Sequence, residues 1–90
     1  MKANIERYLD AAVAARRIER QIGQQEAAWD RLVARAHLAN RLGDQQLADS
    51  ARRRALIHGE AAAWLRTLYA EQDTLVRRLA ANVHIERRKT

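Results

Sequence analysis

Arg35 to Ala51 reads RAHLANRLGDQQLADSA: an alanine- and leucine-rich helical pattern runs up to Leu42, breaks at Gly43-Asp44, and resumes in the same register beyond. Glycine adopts left-handed backbone angles without a Cβ clash and so closes helices at the position after the last turn. Aspartate accepts hydrogen bonds from the unpaired N–H groups that open the next helix. Gly43 therefore ends one rod and Asp44 begins another. Nowhere else does the chain combine both signals, because Gly23 and Gly59 lie inside unbroken apolar periodicities and proline is absent. Those two glycines weaken their helices by ~1 kcal/mol each relative to alanine without ending them.

Outward from the break, the first segment carries Tyr8, Ala11, Ala15, Ile18, Ile22, Gln25, Trp29, Leu32, Ala36 and Ala39 at alternating steps of three and four. That is the a/d seam of a coiled coil. The second repeats the rule through Ala48, Ala51, Ala55, His58, Ala62, Leu65, Tyr69, Gln72, Val76, Leu79 and Val83, with Leu47, Ala61, Leu68 and Leu75 widening the stripe. The reading is an all-α chain, one long antiparallel two-helix coiled-coil hairpin. It forms a single domain over residues 1–90, with helix one about 3–42, the turn at 43–44 and helix two about 45–87.

Folding back at the turn juxtaposes residues whose numbers add up to roughly 87. Large then meets small: Gln25 lies near Ala62, Ala15 near Gln72, and Trp29 near His58, an alternation that helps fix register. Each arm of ~40 residues extends ~60 Å at the helical rise.

Composition narrows the function classes. Apolar content is 48%, phenylalanine and cysteine are absent, and 17 basic side chains face 11 acidic ones for a net charge of +6. A disulfide scaffold and thiolate metal sites are excluded. No apolar run approaches the ~20 residues of a membrane span, and the first turns mix Glu6 and Asp10 with Arg7, Arg16 and Arg17 instead of a signal peptide's apolar centre. A cytoplasmic chain, at most peripheral at the inner face of a membrane, is expected, and Met1 suggests a complete reading frame.

Catalytic chemistry finds no support in the pattern. There is no phosphate loop and no nucleophile with its base. His37, His58 and His84 are too far apart for a metal site, and His58 reads as a seam residue whose polar edge reaches water or Gln25. Asp49 with Arg53 and Asp73 with Arg77 are spaced as i,i+4 ion pairs on exposed faces. A two-helix rod also lacks the concavity that buries a substrate. A non-enzyme without cofactor or metal is the expectation. Nucleic acid is a poor fit as a partner, since the basic clusters occupy different turns without interleaved aromatics.

Association is the better fit. Leu9, Val13, Leu38, Leu56, Ile57 and Trp64 fall outside the seams, and Leu56, Ile57, Ala63 and Trp64 occupy adjacent outer positions of helix two. Leu56, Ile57 and Trp64 form the candidate partner surface, because an apolar patch on a thin rod marks association. The alternative is an anionic membrane surface met by Arg77, Arg78, Arg87, Arg88 and Lys89, with Tyr8, Leu9 and Val13 dipping shallowly. An ordinary coiled-coil adaptor is a third.

The hairpin resembles the coiled-coil core of the phage-shock protein A family, which includes the vesicle-inducing protein of plastids. The resemblance rests on Glu19-Arg20-Gln21-Ile22, on Arg35-Ala36-His37-Leu38-Ala39, and on Gly43-Asp44 followed by Leu47-Ala48 and Ala51, continuing through Glu60, Ala62, Leu65 and Arg66. Trp29 sits about a turn from the family's usual tryptophan. The resemblance implies a hairpin related to membrane-remodelling ESCRT-III proteins, whose members polymerise side by side, protect stressed membranes and, in bacteria, restrain a transcriptional activator. Within these 90 residues there is no counterpart of the family's lipid-inserting helix or of the later helices that lock neighbours, and the charge of +6 is more basic than such a hairpin implies. The partner expected is thus a second copy or a longer homologue.

Overall fold

The computed structural model describes residues 3–89, with side chains through residue 88. It contains two helices, α1 (Asn4–Arg41) and α2 (Gln45–Lys89), of 38 and 45 residues. They fold back on each other into a rod of 70 × 18 × 14 Å. The chain is an all-α helical hairpin.

The turn uses the chemistry of Gly43 and Asp44 in sequence. Gly43 has φ +79° and donates its N–H to the Asn40 carbonyl at 3.1 Å, while the Asp44 N–H reaches back to the Ala39 carbonyl at 2.9 Å. These two bonds make a Schellman closure, which satisfies carbonyls that the end of α1 would otherwise leave unpaired. The Asp44 carboxylate then accepts the Leu47 N–H at 3.0 Å, and its carbonyl accepts the Ala48 N–H at 3.1 Å. One residue thus closes α1 with its backbone and opens α2 with its side chain.

Between the helices the buried side chains are almost all alanine: Ala11, Ala15, Ala36, Ala39, Ala48, Ala51, Ala55 and Ala62, with Leu32 alone among larger ones. Small residues let two backbones approach until each covers the other's methyl groups, so burial is reached without a third layer. Tyr8, Ile18, Ile22, Leu65, Tyr69, Val76 and Leu79 face the same seam but stay half-buried, because their ends pass the edge of a partner only one helix wide.

Polar contacts cross the seam along its length. Gln25 Oε1 and His58 Nδ1 lie 2.7 Å apart, the Tyr69 hydroxyl donates to Glu19 at 2.8 Å, Gln72 donates to the Ala11 carbonyl at 3.1 Å, and Asn4 donates to Glu86 near the open end. Arg66 bridges to Glu26 at 3.3 Å. Three details differ from the sequence expectation. Asp49 pairs with Arg52 at 2.9 Å rather than with Arg53, since the i,i+3 partner is drawn to an oxygen that also accepts from Gln45. Leu47 stands exposed at the tip instead of widening the seam, because the first turn of α2 has only the end of α1 beside it. Trp29 lies not on His58 but on Gly59: a Cβ there would sit 2.7 Å from the indole ring, so the missing side chain is the seat of the ring.

Candidate functional site

With the inner seam closed by alanine, the larger apolar side chains are left on the outside. On α2, Ile57, Ala61, Trp64, Leu68 and Leu75 recur at steps of four, three, four and seven, a second helical stripe beside the inner one. Ile57 is 66% exposed and Trp64 64%. Ala61 and Leu68 are half-buried at the edge of the seam and Leu75 is exposed. Leu56 is exposed too, but one residue advances a helix by ~100°, so it and Ala63 lie around the rod from Ile57 and Trp64. The four outer positions read together in the sequence divide between two sides.

The stripe runs towards the tip into a groove of about 160 Å³ lined by both helices, with Leu38 from α1, Leu42 capping its end, Leu47 from α2 and Leu32 in its floor. Leu42 is 76% exposed. Arg35 and Arg54 border this groove and also an adjoining depression of about 270 Å³, where Arg31 and His58 join them. No ion pair holds Arg31, Arg35 or Arg54 among the described residues. The other flank is different. There Glu26, Asp30 and Arg66 gather beside Trp29 and Gly59, and Arg16, Glu19 and Asp73 gather beside Tyr69. Glu26 is held by Arg66, and Asp73 by Arg77 at 3.1 Å. The hydrogen bond to Glu19 raises the Tyr69 phenol above its ordinary value of 10.0, with burial and the Glu19 and Asp73 charges adding to it and Arg16 opposing. One side of the rod is therefore acidic, with Glu19, Glu26 and Asp73 held by neighbours on that side, and the other is apolar with unpaired guanidinium groups.

The basic residues of the far end do not make one face. Arg77, Arg78, Arg87 and Arg88 are all exposed, yet Arg78 and Arg87 each project ~100° away from the line shared by Arg77 and Arg88. The side chain of Lys89 lies outside the described residues. Tyr8 is half-buried in the seam, whereas Leu9 and Val13 are exposed with Ile5 on the outer side of α1. Among the described residues no helix is long and apolar enough to cross a membrane, and no group of three acidic, histidine or cysteine side chains is placed to hold a metal.

Sequence reasoning missed the Arg31, Arg35, Arg54 and His58 cluster because it is assembled from two helices. A signal was present: none of the three arginines has an acidic residue three or four positions away, so no helix-surface ion pair could neutralise it. The class that fold and surface define is an antiparallel helical hairpin with an apolar, arginine-flanked side. No family model matches the chain, and no curated protein or solved structure shows significant similarity to it.

Proposed function

We propose that this chain is a non-enzymatic coiled-coil hairpin that docks side by side, on a second copy or on a longer hairpin of phage-shock protein A type, as an assembly or regulatory component of a membrane-stress system. The observation that carries this reading is the second apolar stripe, exposed at Ile57 and Trp64 beside a seam that alanine has already closed. A stripe at helical spacing on a rod is what another helix covers, and apolar surface of this kind marks association. The phage-shock component rests on the resemblance carried by Arg35–Ala39, Gly43-Asp44 and Leu47–Ala51.

Sedimentation and light scattering of Ile57→Ser/Trp64→Ser test it. Loss of the complex, whether with itself or with a co-expressed full-length phage-shock protein A, is expected while helicity by circular dichroism is kept. An unchanged complex in both cases rejects the surface.

A further inference from the structure

The tip groove carries more information than its apolar character. Its floor and walls are aliphatic, through Leu32, Leu38, Leu42 and Leu47, and its rim is cationic, through Arg35 and Arg54, with Arg31 and His58 directly alongside. Each of the three guanidinium groups lacks a carboxylate from its own chain among the described residues. Guanidinium groups recognise carboxylates in planar, two-point fashion. The groove is also continuous with the stripe through Ile57 and Trp64, which follows the three-four spacing that receives the side chains of another helix.

We propose that the tip groove seats an acidic amphipathic helix: a partner segment that sets aliphatic side chains into the groove and presents glutamate or aspartate at the flanking positions to Arg31, Arg35 and Arg54. The inference rests on the lateral-docking reading and names the chemistry of the partner. A second copy packed tip to tip would bring these arginines against their own equivalents. On the chain's opposite side Glu26 is already held by Arg66, which leaves Asp30 beside it as a single carboxylate to set against three guanidinium groups. Charge complementarity therefore favours a different, acidic helix over self-packing here.

The test is fluorescence anisotropy of two labelled peptides against the full chain at low salt, both with leucine at the a and d positions, one flanked by glutamate and the other by lysine. The glutamate peptide is expected to bind about tenfold or more tightly than the lysine peptide, and Arg35→Glu/Arg54→Glu is expected to reverse the preference. Arg35→Ala/Arg54→Ala should abolish the preference without reversing it, with helicity unchanged in both variants. Equal binding of the two peptides, or binding of neither, overturns the proposal. So does preferential binding to phosphatidylglycerol vesicles without discrimination between peptides, which indicates a membrane, or a changed mass of the chain alone in Arg35→Glu/Arg54→Glu, which indicates a second copy. Ile57→Ser/Trp64→Ser keeps the two readings apart. If it dissolves the complexes while the peptides are not distinguished, lateral docking stands and the acidic partner does not.

Discussion

The tip half of the hairpin and its open half solve the same packing problem with different residues. From Leu32 to Ala55 the seam is Ala36, Ala39, Ala48, Ala51 and Ala55, all buried, with Ala48 at 0% exposure. From Asn4 to Ile22, and where α2 returns alongside, the seam is mostly Tyr8, Ile18, Ile22, Leu65, Tyr69, Val76, Leu79 and Val83, all half-buried. The larger side chains achieve less burial. A single neighbouring helix covers a methyl group readily but encloses only Leu32 among the larger seam residues, so in a two-layer rod close approach matters more than apolar volume. The open half compensates with polar links such as Tyr69 to Glu19 and Gln72 to the Ala11 carbonyl.

From that contrast it follows that overfilling the seam should harm the tip far more than the open end. Ala48→Leu has no room beside α1 and should destabilise the hairpin by about 3 kcal/mol, whereas Ile22→Phe, which also adds three carbons but at a half-buried position open to water, should cost under about 1.5 kcal/mol. Urea unfolding followed by circular dichroism measures both, and equal losses would break the comparison. Next in size, Gly43→Ala forces a Cβ into the left-handed region occupied at φ +79° and should cost about 1–2 kcal/mol, read as a lower unfolding midpoint.

The smallest effect belongs to the open half. Because the Tyr69 phenol is raised above 10.0 in the folded chain, the stabilisation from its protonated form is fully present below the unfolded value and fades as pH rises through the folded one. Wild type should therefore lose stability relative to Tyr69→Phe in alkaline solution, and a difference that stays flat with pH would show that the Glu19 bond contributes nothing there.

Much of this architecture is legible in the chain. The heptad steps place the seam residues, and Gly43-Asp44 carries its turn chemistry in the side chains themselves, because a missing Cβ and a short carboxylate act within a few bonds of their own backbone. Trp29 over Gly59 was not legible. In the sequence Gly59 is only a weak helix position, and its use as a seat depends on which residue α1 brings opposite. The same holds for Arg54, which meets Arg31 and Arg35 only because the hairpin closes.

The sequence by itself determined that two amphipathic helices would reverse at one point, since periodicity and capping are local properties of neighbouring residues. Only the tertiary structure decided which apolar side chains remain in water and which charges remain without partners. Exposure and neutralisation depend on what the other helix leaves uncovered, and here alanine brings the helices together while leaving Leu42, Leu47, Ile57 and Trp64 outside.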